Sequence, residues 1–128
     1  MPVPYKPAGY TDVAVYLHVP QAQRVIDLLI AALAGELLRR YEKPDGSLMH
    51  AEVRVDDTVV MLADSTPNWP AIPAHVHVYV PDVDATYRRA LAAGATSVQE
   101  PTKGNDEDKR GGVCDAGGTT WWIATRVG

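Results

Sequence analysis

The sequence predicts an α+β fold built from two successive βαβββ modules, and three observations carry that prediction. From 75 to 80 the chain alternates strictly, His75, His77 and Tyr79 against Val76, Val78 and Val80, which is the period of a half-buried strand. After Pro81-Asp82 the period changes: Val83, Tyr87, Leu91 and Ala92 recur at helical spacing, with Asp82 and Asp84 near the start and Gly94 as the C′ residue. A helix therefore follows the strand. The same unit occurs earlier. With 14–19 set over 75–80, 61 residues apart, apolar positions match apolar, polar-face positions match polar-face, and the following helices fall into register. A repeat of about 60 residues marks two copies of one supersecondary unit.

A chain of 128 residues is expected to form one domain with a real core. Its first module runs from about 11 to 64, a linker from 65 to 73, and the second module from about 74 to 128. The formal charge of −4 argues against nucleic acid or an anionic membrane surface as partner and suits a neutral or cationic small molecule better. The single cysteine, Cys114, makes no internal disulfide and demands no oxidising compartment. No stretch approaches the ~20 apolar residues of a membrane span, and the opening MPVPYKPAGYTD has no apolar h-region, so a cytoplasmic location is expected.

Taken in order, residues 1–11 are proline-rich and read as an extended arm. Residues 12–19 alternate, Val13, Val15, Leu17 and Val19 against Ala14, Tyr16 and His18, until Pro20 ends the strand. A helix is expected over 21–33, where Val25, Leu28, Leu29 and Ala32 form a stripe that Ile30 and Leu33 widen. Ala34-Gly35 closes it. An amphipathic strand at 36–42, the turn KPDGS at 43–47, and strands at 48–55 and 58–64 complete the first module. In the 48–55 strand Met49, Ala51, Val53 and Val55 oppose Leu48, His50, Glu52 and Arg54. The linker STPNWPAIP holds three prolines. The second module repeats the plan, with strands near 96–99, 111–114 and 119–125, a polar loop at 102–108 and the turn DAGG at 115–118.

The segments PDGSLMHAEVRVDDTVVMLAD (44–64), HVYVPDVDATYRRALAAGAT (77–96) and DAGGTTWWIAT (115–125), with the first strand, resemble the vicinal oxygen chelate superfamily. This group includes glyoxalase I, extradiol dioxygenases and the fosfomycin- and bleomycin-resistance proteins, and the likeness is greatest to its PhnB-like branch. The resemblance implies curled mixed sheets that form a cup with the helices outside, and a homodimer. It is specific for fold, not for chemistry, because the scaffold hosts metal enzymes and metal-free binders alike. The superfamily's four metal positions fall on Ala14, Met61, His75 and Trp122. Only His75 suits a divalent metal; Met61 offers a soft thioether, and Trp122 stands where catalytic relatives usually carry Glu. Ala34 (commonly Gly in relatives) and DAGG (frequently DPxG) are further departures, both at turns.

Alternation from those positions lines the cup with Tyr16, His18, His50, Glu52, Met61, His75, His77, Tyr79 and Trp122, an aromatic wall with a few polar groups, as small-molecule sites have. His75 and His77 project from one strand face about 6.5–7 Å apart at Cα, able to share a metal, to divide acid and base roles, or simply to hydrogen-bond within the wall. His50 and Glu52 repeat that geometry; Glu52 is a candidate general base or the carboxylate of a buried pair with His50 or Arg54. Trp122 either fills the metal hole or offers a stacking wall, to which Tyr16, Tyr79 and Trp69 can add. Trp121 has core parity. Cys114 lacks an activating partner, and KGNDEDKR (103–110) is solvated surface or a lid over the cup.

Two functions are therefore carried forward. One is a metal-free small-molecule binder of the sequestering or resistance type, with no cofactor. The other is a lyase, isomerase or dioxygenase that uses His75, His77 and Glu52 for proton transfer. In that second case a displaced Zn²⁺, Ni²⁺ or Fe²⁺ site on His75, His77, His50 and Glu52 stays open.

Overall fold

The computed structural model describes residues 3–128. The elements are β1 (Tyr16–Val19), α1 (Ala22–Leu33), β2 (Glu36–Glu42), β3 (Leu48–Val55), β4 (Thr58–Asp64), β5 (Ala74–Tyr79), α2 (Val83–Ala92), β6 (Thr96–Lys103), β7 (Asp108–Cys114) and β8 (Thr119–Arg126). They form two four-stranded mixed sheets, ordered β1-β4-β3-β2 and β5-β8-β7-β6. In each, the strand before the helix pairs in parallel with the last strand of its module, and the other pairings are antiparallel. This is the expected α+β fold of tandem βαβββ modules. No helix among the described residues is long and apolar enough to cross a membrane.

Alternation decides which face of each sheet meets the helices. Leu17, Val19, Ala51, Val53 and Leu62 of the first sheet and Val113, Trp121 and Ile123 of the second pack with Val25, Leu29, Tyr87 and Ala90 of the two helices in a single buried cluster. Gly117 brings the modules together: a Cβ there would lie 2.7 Å from Cβ of Val19. Asp115 secures the same turn. Its Oδ1 accepts from the backbone N–H groups of Gly117 (2.8 Å) and Thr119 (3.0 Å), and its Oδ2 from the Trp121 indole (2.8 Å). Trp121 is thus core, as its parity predicts.

Helix α2 has the expected ends. The Asp82 side chain accepts from Ala85 N–H at 3.1 Å, and Gly94 follows the cap with φ 104°. Helix α1 differs. Its N-cap Gln21 makes no side-chain cap; instead the Asp64 carboxylate accepts from Ala22 N–H (2.8 Å) and, through its other oxygen, from Leu48 N–H (2.7 Å). At the far end Ala34, not a glycine, takes the left-handed conformation, with φ 54° and ψ 36°. Ile26 rather than Ile30 joins the core, Ile30 being 43% exposed, because it lies roughly 100° round the helix from Leu29.

Four boundaries or faces depart from expectation. The first strand starts at Tyr16, not at 12, and Val13 is exposed. Upstream the chain crosses the helix-free face of the sheet, where Gly9 O accepts from Arg54 (3.5 Å) and Tyr10 reaches Glu52, so it cannot stay in the sheet plane. In β3 a register shift opposite Tyr41 and Glu42 reverses the strand's start: Leu48 is buried and Met49 is exposed. One extra residue at a bulge flips the face of what precedes it. Strands β6 and β7 are longer than expected, and the polar loop shrinks to 104–107. Alternation is uninformative on an edge strand wet on both sides, and Pro101 sits where the register slips between Gln99 and Thr102.

Candidate functional site

The helix-free face of the first sheet is organised around Glu52. Sheet register sets Tyr16, Met61, Glu52 and Arg39 side by side across four strands. Glu52 is only 3% exposed, and three polar side chains reach it. Tyr10 Oη donates to Oε1 at 2.5 Å, His50 Nε2 lies 2.7 Å from Oε2, and Arg39 Nε lies 3.5 Å from Oε1. Burial is the largest single influence on this carboxyl and pushes its pKa up. The hydrogen bonds from Tyr10 and His50 and the charge of Arg39 together outweigh it, holding the group below the ordinary glutamate value. The Tyr10 phenol is correspondingly harder to ionise, chiefly through its bond to Glu52.

Aromatic rings flank this centre. The Tyr16 and His18 rings stack at 4.8 Å and 8°, His18 and Trp69 at 5.8 Å and 17°, and Tyr16 Oη meets His50 Nδ1 at 3.0 Å. Trp69 comes from the proline-rich linker and closes one side of a cavity of about 380 Å³, which Tyr16, His18, Met49, Lys43 and Asp64 also line.

The second sheet presents a separate wall. His75, His77 and Tyr79 share a face of β5, with Trp122 opposite His77 and Gly112 opposite Trp122. The Trp122 indole lies against Gly112, where a Cβ would stand 2.7 Å from the ring. Its N–H donates to His75 Nδ1 at 3.0 Å. Arg110 Nε donates to His77 Nε2 at 3.1 Å, while its other nitrogens reach Asp108 (2.9 Å) and Asp106 (3.2 Å). Tyr79 Oη donates to Asp108 at 2.7 Å. Burial, then the Arg110 charge, lowers the His77 pKa against the opposing pull of Asp108 and Asp106. The bond to Asp108 raises that of Tyr79.

The predicted cup residues thus fall into two groups. Tyr16, His18, His50, Glu52 and Met61 meet on one wall, and His75, His77, Tyr79 and Trp122 on the other. Among the described residues no hydrogen bond, ion pair or ring contact joins the two. Nor do any three His, Cys, Asp or Glu side chains cluster there as a metal site would require. At the superfamily's metal positions, Ala14 has no donor atom and the Trp122 N–H has no lone pair to give, so this set does not fit a divalent ion. Cys114 points its thiol at the Asp115 carbonyl, 3.6 Å away.

Tyr10, Arg39, Asp108 and Arg110 belong to the walls without having been singled out from sequence. Tyr10 lies in an arm with no periodicity and acts 42 residues away. Asp108 and Arg110 carry a faint signal, since a continued strand through the charged run puts both on the face of Trp122.

Paired βαβββ modules with aromatic, helix-free faces define the class of protein. The sequence matches the Glyoxalase/Bleomycin resistance protein/Dioxygenase superfamily over residues 12–123, and the chain belongs to that superfamily. It is 34% identical to the uncharacterized protein Rv0887c of Mycobacterium tuberculosis (strain ATCC 25618 / H37Rv) over 123 residues, 88% of this chain and 72% of that one. Two solved structures share the fold. TioX from Micromonospora sp. ML1 has TM-score 0.76 and 24% identity, covering 91% of this chain and 98% of that one. TnmS3, an antibiotic binding protein from Streptomyces sp. CB03234, has TM-score 0.70 and 18% identity, covering 88% and 93%.

Proposed function

We propose that this chain is a metal-independent small-molecule binding protein of the sequestering type, in the PhnB-like branch of its superfamily, working in the cytoplasm as a homodimer. The observation that carries the reading is the state of the first wall: its carboxylate is engaged by neighbouring polar groups, while aromatic faces line a cavity. Glu52, the strongest candidate base, accepts from Tyr10 and His50 with Arg39 beside it, which keeps it an ion-paired carboxylate rather than a free proton acceptor. The Tyr16–His18–Trp69 stack beside a cavity of about 380 Å³ suits a flat ligand of moderate size. TnmS3, whose fold is similar, is an antibiotic binding protein, and the likeness supports this reading. The dimer is supported by the position of β1 and β5 at the ends of their sheets and by two walls that share no hydrogen bond, ion pair or ring contact among the described residues.

The test joins metal analysis with ligand screening. Protein purified without chelator or metal-affinity tag is assayed for Zn, Ni, Fe and Mn by ICP-MS, then screened by thermal shift against aromatic compounds. Substoichiometric metal and a shift that Trp69→Ala weakens are expected. A stoichiometric metal lost in His75→Ala would overturn the proposal.

The buried Glu52–His50 contact of 2.7 Å favours one other reading, acid–base catalysis by a lyase or isomerase. Turnover abolished by Glu52→Gln with ligand affinity intact would establish it.

A further inference from the structure

We infer that Trp122 and Arg110 hold His75 and His77 in opposite neutral tautomers, so that both present an N–H donor to the ligand and the β5 wall selects flat molecules bearing carbonyl-type acceptors. The inference rests on the binding function proposed above and adds the chemical class of its ligand.

Each partner fixes one ring nitrogen by its own chemistry. An indole N–H only donates, and a guanidinium has no acceptor. His75 Nδ1 receives the Trp122 N–H at 3.0 Å, so that nitrogen carries the lone pair and the ring proton is on Nε2. His77 Nε2 receives the Arg110 Nε–H at 3.1 Å, so its proton is on Nδ1. Neither Nε2 of His75 nor Nδ1 of His77 has a partner among the described residues, and both residues are exposed. Arg110 does not drift from His77, because Asp106 and Asp108 hold its other nitrogens and Asp108 is itself tied by Tyr79.

The Trp122 and His75 ring planes are within 10° of parallel, with centroids 6.2 Å apart. Joined by an N–H···N bond, they sit edge to edge and make one flat platform, not a face-to-face pair. It is backed by the surface of Gly112. An aromatic ring laid on the platform, with carbonyl groups reaching its rim, meets the two free N–H donors.

The same polarity works against a metal ion. A ligating histidine gives a lone pair from one nitrogen and donates from the other to a carboxylate or carbonyl. Here the second nitrogen of each ring faces a donor instead. Moving the proton to release a lone pair would set two N–H groups against each other.

Two measurements on the full chain test this. Long-range ¹H–¹⁵N correlation spectra of histidine-labelled protein at neutral pH should show His75 protonated on Nε2 and His77 on Nδ1. Trp122→Phe should let His75 relax to a tautomer mixture and leave His77 unchanged. The reverse tautomers, or mixtures at both rings in the unsubstituted protein, would overturn the inference.

Calorimetry then compares 4-sulfo-N-methyl-1,8-naphthalimide with acenaphthene-5-sulfonate, which has a similar outline and charge but no carbonyl. At least tenfold tighter binding of the imide is expected. The preference should vanish in a His75→Phe/His77→Phe variant whose unfolding midpoint confirms folding. Equal binding of the two probes would overturn the acceptor preference while leaving a binding protein. Binding of neither would overturn the binding function, and the inference with it.

Discussion

Glu52 concentrates the energetics of the first wall in one side chain. Its folded pKa is depressed, so its contribution to stability is complete above the ordinary glutamate value of 4.5 and is lost as pH falls through the lower folded value. Glu52→Gln should therefore flatten the acid limb of stability below pH 4.5, read as urea midpoints across that range. At neutral pH the same change should destabilise by about 1–3 kcal/mol, because Tyr10 and His50 lose a charged acceptor. On the other wall Gly112→Ala drives a methyl into the Trp122 ring, 2.7 Å away. A loss of about 1–3 kcal/mol is expected. The Trp122 indole N–H resonance should shift, while that of Trp121, bonded to Asp115, stays in place. The sequence showed these side chains sharing faces by alternation alone. It could not show their partners, since Tyr10 acts from an irregular arm and Arg110 from a strand hidden in a charged run.

At the scale of elements, α1 is held by devices outside itself. Ala34 occupies the left-handed region with a Cβ, a conformation that glycine takes without steric cost. Ala34→Gly should raise stability by about 0.5–1 kcal/mol, a rise in Tm of a few degrees, net of the freedom glycine adds to the unfolded chain. Asp64→Ala should do the opposite. It leaves Ala22 N–H and Leu48 N–H without their acceptor, a loss of about 1–3 kcal/mol in thermal or urea unfolding. The repeat and the strand–helix alternation were legible because each element carries its own period. Strand ends were not, where a bulge at Met49 and a proline in β6 broke it.

The whole molecule has one core and two walls. Helices and the apolar sheet faces close on one another within the chain, while among the described residues no hydrogen bond, ion pair or ring contact joins the two helix-free faces. If a second copy completes each cup, light scattering should give twice the chain mass. Dilution that halves the mass should then also lower the ligand affinity. A monomer that binds aromatic ligands undiminished would place the site on one wall alone.

The two modules and most of the helix-facing and helix-free sides of their strands could be read from the sequence. These follow from residue type and local period, which need no knowledge of neighbours. Which polar atoms meet depends on the tertiary structure: Tyr10 with Glu52, Trp122 with His75, and Arg110 with His77. Sheet register and the path of the arm bring together residues as far as 47 apart in the chain. The chemistry of the walls depends on those encounters, because a histidine's free nitrogen is set by whatever holds its other one.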